Sequence, residues 1–273
     1  MNIAFGEWQA WLNTLQGWCR PAIRMVLPLS ALLYTQFAHA DDYVPQFDRP
    51  SISYAPSVLP ARSFDWEQGL PDFQHFNIDG VRSTTYNADT ELRFGLGSSL
   101  ELQVAGTPWN ELDVHSAGFS SSVEGAGDTS LALKWAPTMP IKSLSFAMLG
   151  KVTFDTGSAA FSNGRAIYSL AAATSSDLGG SRSLGFYANV DHSGSVNTWT
   201  LSPNFNFPIS GNLSGMVEAG RIFGGGVPSS TVVGGALSWL LRNRVQFDVF
   251  ARRGLTSSSP DYQGGFGISV FWQ

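Results

Sequence analysis

The sequence predicts an all-β protein, a transmembrane antiparallel up-and-down β-barrel of about twelve strands. Three observations carry this prediction: an export signal, repeated runs that alternate apolar and polar residues, and an aromatic closing strand. In the closing strand, every second side chain is apolar and shares one face: Phe266, Ile268, Val270 and Trp272. A strand of this kind is typical of the carboxyl end of an outer-membrane barrel.

The composition agrees with a surface that is partly covered by lipid. Only 14% of the residues are charged, against about 25% in a typical soluble protein. Glycine is abundant at 29 residues, and aromatic residues make up 13% of the chain. No segment reaches the roughly 20 apolar residues that a membrane-spanning helix needs.

Residues 1–40 are predicted to be a cleaved signal peptide. Arg20 and Arg24 precede an apolar run over residues 25–33, and the small residues Ala38 and Ala40 form a cleavage pattern before Asp41. The alternative is a short amphipathic or core helix, which leaves the cleavage pattern and the acidic pair after it unexplained. This segment contains the one cysteine of the chain, so the mature protein has no disulfide and no thiolate metal site.

Removing residues 1–40 takes away Arg20, Arg24 and Glu7 and changes the net charge from −5 to −6. An acidic protein without a basic patch is not expected to bind nucleic acid. The next stretch, residues 41–60, is polar and carries four prolines, which exclude it from the centre of a sheet. It is predicted to be a periplasmic proline-rich lead-in, and residues 61–273 to form the barrel.

Twelve runs of alternating residues are bounded by Gly, Ser, Asn, Asp or Pro. The alanine-rich run 165–177 also fits a helix, but its neighbours favour a strand. The runs are 62–69, 87–96, 99–108, 128–136, 143–155, 165–177, 183–191, 197–207, 212–223, 230–241, 244–253 and 262–272.

Short and long connections between these runs are predicted to alternate. The longer ones cover residues 70–86, 109–127, 156–164, 192–196, 224–229 and 254–261. Outer-membrane barrels have short periplasmic turns and longer outside loops, and an even strand number returns both chain ends to the periplasm. A soluble β-sandwich also alternates apolar and polar residues, but the export signal, the closing strand and the tryptophans on apolar faces favour the barrel.

Four local patterns resemble the family of the MetA pathway of phenol degradation, a group of outer-membrane barrels described as transporters. They are Gly125-Ala-Gly-Asp128 leading to Lys134-Trp135, Leu92-Arg93-Phe-Gly95 followed by Leu100-Glu101-Leu102, Thr156-Gly157-Ser158, and the hairpin from Val245 to Tyr262. The resemblance covers nearly the whole mature chain. It departs from the family where Asp155 replaces a usual proline and where Trp272-Gln273 replaces a terminal Phe. It implies the barrel architecture and the outer-membrane location.

The polar strand faces supply candidates for the lining of a solute path. Both signs of charge occur on nearby strands, so these groups either pair with one another or form a constriction that selects a solute. Twelve strands lie between the filled bore of eight-stranded barrels and the water channel of sixteen-stranded porins. The bore is therefore narrow, and residues 41–60 are an alternative means of closing it from inside. The candidates are Glu91, Arg93, Glu101, Lys134, Lys151, Asp155, Asp248 and Arg252.

The expected function is passive passage of small solutes, aromatic or hydrophobic ones among them, through an outer-membrane channel. The alternatives are a plugged structural or surface-interaction barrel and, less well supported, a lipid-modifying enzyme. No catalytic residue is predicted, since no nucleophile elbow accompanies His75, His115 or His192. No metal or other cofactor is expected either. The expected partners are outer-membrane lipid, lipopolysaccharide, the barrel-insertion machinery and a small solute, and the expected state is a monomer.

Overall fold

A computed structural model of the protein describes residues 43–226 and 228–273. The predicted signal peptide lies outside the described residues. Within the described part of the chain, no helix has the length and apolar character required to cross a membrane.

All regular structure in the described residues is β-strand, in a single antiparallel sheet. The sheet closes on itself because β1 pairs with β15, with Phe64 opposite Trp272 and Glu67 opposite Ser269. The strands are β1 (Phe64–Ile78), β2 (Val81–Asn87), β3 (Thr90–Gly95), β4 (Leu100–Gly106), β5 (Asn110–Ser116), β6 (Phe119–Gly125), β7 (Thr129–Trp135), β8 (Leu144–Phe154), β9 (Ile167–Gly179), β10 (Arg182–Ser193), β11 (Val196–Ser210), β12 (Leu213–Phe223), β13 (Ser230–Leu241), β14 (Val245–Gly254) and β15 (Tyr262–Trp272).

Three barrel strands are each interrupted once, so the fifteen segments form a twelve-stranded barrel. The interrupted pairs are β2 with β3, β4 with β5, and β6 with β7, with breaks at residues 88–89, 107–109 and 126–128. The pairing shows this directly, because the lower half of β1 bonds to β3 and its upper half bonds to β2. The predicted fold class and the pairing of the last strand with the first are confirmed.

The outward face is apolar and lipid-facing. Large apolar side chains on alternate positions are exposed, as Leu131, Leu133 and Trp135 on β7 illustrate. Aromatic rings gather at the end that carries the short turns, where Phe64 stacks on Trp272 with ring centroids 5.1 Å apart and Trp239 lies 6.0 Å from Phe247. An outward apolar band with an aromatic girdle is what a barrel in lipid requires.

Two of the predicted long loops are wrong, since both form paired strands. Residues 70–86 extend β1, turn at Asp79-Gly80 and return as β2, while residues 109–127 form the hairpin of β5 and β6. Asp79 and Gly80 both adopt positive φ, which suits a tight hairpin turn. These hairpins extend beyond β8, which pairs with β7 but ends opposite Thr129.

Residues 44–60, called the inner segment below, lie inside the barrel rather than as a lead-in in the periplasm. The hydroxyl of Tyr54 donates to the carbonyl of Ala147 on β8. The amide of Leu59 donates to Glu101 on β4 at 2.7 Å. The sheet leaves room for this path, because a Cβ at Gly95 would collide with the carbonyl oxygen of Pro60.

The loop between β8 and β9 is tied to the rim of the barrel by Asp128. Its carboxylate accepts from the amides of Gly157 at 2.9 Å and Asn163 at 2.8 Å. Partial burial raises the pKa of Asp128, but the amide donors of Asn163 and Gly157 outweigh it and lower the pKa to about 2. The ionised carboxylate therefore holds the loop.

The anchoring by Asp128 is expected to depend on pH. Because the pKa is lower in the folded state, the stabilisation is complete above the unfolded value of about 3.9 and is lost as the pH falls through about 2. Cleavage of the loop at Phe161 by pepsin is expected to rise between pH 4 and pH 2. Asp128→Ala is expected to be cleaved already at pH 4, and equal cleavage of the two proteins at pH 4 would contradict this account.

Candidate functional site

The polar interior of the barrel is the candidate site, and its largest feature is a buried ionic cluster around Arg93 on β3. The guanidinium donates to Asp65 at 3.1 Å and Glu67 at 3.0 Å on β1. Its Nε donates to Glu101 on β4 at 2.9 Å. These four side chains are fully buried. The alternation of the strands brings them together, since each is an inward position between lipid-facing neighbours.

Lys134 on β7 joins this cluster to the inner segment. Its ammonium lies 3.0 Å from Asp48 and 3.2 Å from Glu101. The amide of Gln103 donates to both of these carboxylates, at 3.1 Å to Asp48 and 2.9 Å to Glu101. The cluster of Asp48, Asp65, Glu67, Arg93, Glu101 and Lys134, called the ionic lock below, thus contains four carboxylates and two cations.

A second set of ion pairs centres on Arg49, the neighbour of Asp48 in the inner segment. Its guanidinium lies 2.7 Å from Asp72 on β1 and 3.2 Å from Asp248 on β14. Glycine makes room for this side chain, because a Cβ at Gly69 or Gly267 would collide with it. The two adjacent charges of the inner segment therefore bind different parts of the wall.

A third contact is made at the far wall by Glu218 on β12. Arg252 on β14 lies 2.6 Å from Glu218 and also donates to the carbonyl of Pro50 at 2.7 Å. Glu218 in turn accepts from the amide of Ile52 at 3.0 Å and from the hydroxyl of Ser51 at 3.1 Å. The inner segment is therefore held on several sides of the bore.

The backbone of the inner segment depends on these wall carboxylates. A proline-rich chain cannot pair continuously with a sheet, so its remaining amides need other acceptors. Glu67 accepts from the amides of Asp48 and Arg49 at 2.8 and 2.6 Å. Glu101 accepts from Leu59. Part of the carboxylate excess of the ionic lock is thus offset by backbone N–H donors rather than by cations.

Small wall residues form a hollow for Tyr54 of the inner segment. Tyr54 packs against inward alanines, and its ring meets that of Tyr187 edge to face with centroids 5.5 Å apart. The ammonium of Lys134 lies 5.0 Å from the Tyr54 ring centroid. Ala171 and Ala173 belong to the alanine-rich run, and their small side chains leave space for the ring. The alanines are Ala132, Ala147, Ala171 and Ala173.

Two cavities flank the inner segment. One, of about 270 Å³, lies toward the long hairpins, and its lining includes Glu91, Lys151 and Asn189. The other, of about 310 Å³, lies toward the short turns, and its lining includes Ser183 and Ser214. The inner segment separates them, so a solute crossing the barrel meets a polar space on each side of it.

The eight candidate residues are distributed over these features. Arg93, Glu101 and Lys134 belong to the ionic lock. Asp248 binds Arg49, and Arg252 binds Glu218. Glu91 and Lys151 line the cavity near the long hairpins. Asp155 lies past the end of β8 and is exposed.

Several residues of the site were not among the sequence candidates. Asp65 and Glu67 alternate with lipid-facing aromatic residues on β1, a signal that was present in the run 62–69. Glu218 lies on an inward position of β12 in the same way. For Asp48 and Arg49 the sequence offers no periodicity, since the inner segment is not a strand.

The histidines take part in hairpin contacts. His75 pairs with Thr84 at 2.8 Å, His115 with Ser120 at 2.9 Å and His192 with Asn197 at 2.7 Å. In the described part of the chain none of these rings bonds a carboxylate; His75 and His115 bond hydroxyl groups, and His192 bonds an amide oxygen. Across the same residues, no group of three His, Cys, Asp or Glu side chains is arranged to hold a metal ion.

Comparison with known proteins gives a family and several solved structures. The family described as "Putative MetA-pathway of phenol degradation" matches residues 47–271. The COG4313 outer membrane channel from Pseudomonas putida F1 is similar in structure, with a TM-score of 0.65, 13% identity, and coverage of 82% of this chain and 100% of that chain. The NanC porin gives a TM-score of 0.49 at 8% identity, with coverage of 77% and 99%. No curated protein sequence matches the chain.

Removing the cation of Lys134 is expected to destabilise the barrel. Lys134→Met leaves Asp48 and Glu101 buried with less compensation, and breaking a buried ion pair costs about 3–5 kcal/mol. The temperature at which the folded band converts to the unfolded band on unboiled gels is expected to fall. Lys142→Met, in an exposed turn, is the matched control, and the account is wrong if both variants convert with the wild type.

Proposed function

The chain belongs to the family described as "Putative MetA-pathway of phenol degradation", and we propose that it is a channel for small solutes whose lumen is narrowed by its inner segment. The protein is an outer-membrane barrel, and its outward face is apolar. The observation that carries the proposal is the polar lumen, with a cavity on each side of the inner segment. A barrel with a purely structural role has no need of polar space on both sides of its plug.

Passage is proposed to require displacement of the inner segment. Its ties to the wall are ion pairs, amide-to-carboxylate bonds and the packing of Tyr54 against inward alanines. Displacement would expose the charged groups, so water or a charged solute would have to compensate them. Charged lining groups would then act as a constriction that sorts solutes by charge and hydrogen bonding. The constriction comprises the ionic lock on one wall, with Arg49 and Asp248 on another.

Polar lining residues support polar solutes as the principal cargo. The cavities are bordered by serine, asparagine and charged side chains as well as by Tyr54 and Tyr187. Passage of aromatic or hydrophobic solutes stays a prediction drawn from the family resemblance. The rings of Tyr54, Tyr187 and Phe47 in the cavity linings are the feature that favours an aromatic solute.

A permanently plugged barrel is the second candidate, and a specific observation favours it. The inner segment is anchored to β1, β4, β7, β8, β12 and β14 at once. In this alternative the segment would brace the wall, and the protein would act through its projecting hairpins. The two candidates differ in whether ions and solutes cross.

Conductance in planar bilayers separates the two candidates. The wild type is expected to give small single-channel currents, because the inner segment fills much of the bore. The double substitution Asp48→Asn with Arg49→Gln weakens both sets of ion pairs and is expected to raise the conductance, or the fraction of time open, several-fold. Ser57→Ala is the matched control, because Ser57 is a half-buried residue of the same segment whose hydroxyl donates to Gln46 of that segment and not to the wall.

Liposome swelling extends the test to solutes. Proteoliposomes are expected to swell in small sugars and in a phenol-sized polar aromatic, and to swell faster with the double variant. If neither the wild type nor the double variant passes ions or solutes, the channel is excluded and the plugged barrel is supported. A double variant that conducts no better than the wild type would exclude the inner segment as the restriction.

A further inference from the structure

The cavity near the long hairpins contains side chains without partners. Glu91, Lys151 and Asn189 line it. Among the described residues none of the three side chains has a hydrogen bond or an ion pair within 4 Å, although Lys151 interacts at longer range with Asp89 and Glu91 with Arg93 and Lys134. Asn189 is only 7% exposed, so its amide is buried and directed into the cavity. Other polar groups of the same lining already have hydrogen-bond partners; the side-chain amide of Gln103, for example, donates to Asp48 and Glu101.

The two unpaired charges stand at opposite ends of a hollow in the wall. Glu91 lies on β3 and Lys151 on β8, and β4 and β7 run between them. Three strand spacings of about 4.8 Å separate their backbones by about 14 Å along the wall. Three inward positions between them are small, namely Ala105, Ser130 and Ala132, while Gln103 between them is bonded to the ionic lock. A small molecule therefore fits between the carboxylate and the ammonium.

An unpaired charge inside a barrel is costly unless a partner compensates it. Asp89 also lines this cavity, 3.9 Å from Arg49, and interacts electrostatically with Lys151. A cationic solute would meet Glu91 but be repelled by Lys151, and an anionic solute would meet Lys151 but be repelled by Glu91 and Asp89. A solute that carries one charge of each sign compensates both groups at the same time. The buried amide of Asn189 and the ring of Tyr187 add a hydrogen-bonding group and an aromatic surface to the same cavity.

We propose that this cavity binds a small zwitterion, with its ammonium on Glu91 and its carboxylate on Lys151. The proposal rests on the proposed function as a channel, for which it supplies a solute class. The volume of about 270 Å³ is at the lower end of ligand pockets, about 300–1,000 Å³. The ligand is therefore the size of a simple amino acid rather than of a sugar oligomer.

Calorimetry on the purified protein in detergent tests the site with three solutes matched in length. These are 4-aminobutyrate, n-butylamine and butyrate, at one pH and ionic strength. The wild type is expected to bind 4-aminobutyrate at least about tenfold more tightly than either singly charged solute. Comparable binding of the three solutes, or no detectable binding of 4-aminobutyrate, would overturn the proposal on the wild type alone.

Two substitutions assign the ends of the site. Glu91→Gln is expected to weaken the binding of 4-aminobutyrate about tenfold and to leave the binding of butyrate unchanged or tighter. Lys151→Met is expected to weaken the binding of 4-aminobutyrate about tenfold and to leave the binding of butylamine unchanged or tighter. Glu124→Gln on the exposed hairpin strand β6 is the matched control. If a substitution weakened the binding of all three solutes equally, the assignment of the two ends would be wrong.

Binding in detergent does not require conduction, so the two proposals can fail separately. If the protein binds the zwitterion but passes no ions, the channel proposal fails and the binding-site proposal stands. If the protein conducts but does not prefer the zwitterion, the channel proposal stands and the binding-site proposal fails.

Discussion

The ionic lock is the interaction on which the rest of the structure depends. Four carboxylates and two cations lie buried together, and such a cluster is stable only if every group has partners. The barrel wall does not supply all of them. Lys134 needs Asp48 from the inner segment, and Glu67 needs the amides of Asp48 and Arg49. Buried polar groups of the wall therefore depend on partners from the inner segment, and those of the inner segment depend on partners from the wall.

This dependence connects the fold to the proposed transport. Twelve strands enclose a bore that side chains alone do not fill, and here a proline-rich chain occupies the remaining space. Because prolines lack N–H groups, the segment makes few backbone bonds, and its amides at Asp48, Arg49, Ile52 and Leu59 donate to carboxylates of the wall. The same polarity that holds the segment leaves hydrated space on either side of it. Displacing this restriction would expose its charged groups, so water or a charged solute would have to compensate them.

The sequence predicted the parts of the fold that lipid dictates. On β7 and β15, one face meets hydrocarbon and the other the lumen, so the alternation is clear. The hairpins over residues 70–86 and 109–127 extend past the end of β8. On β6 both faces are exposed, so no buried face imposes a clear alternation there. The ion pairs were beyond prediction for another reason: Arg49 and Asp248 are 199 residues apart in the chain, and no local pattern links them. Inward charge was recognised on the strands, but its partners were not.

Disulfide trapping of the inner segment tests the central claim most directly, because the predicted mature chain has no cysteine of its own. The Ser53 hydroxyl lies 3.3 Å from the side-chain nitrogen of Asn204 on β11. With Ser53→Cys and Asn204→Cys combined, the two thiols are expected to be joined, either by a disulfide in the oxidising periplasm or by a short bis-maleimide, and to change gel mobility, while neither single variant changes. A folded double variant that is joined by neither route would show that the segment does not lie in the lumen.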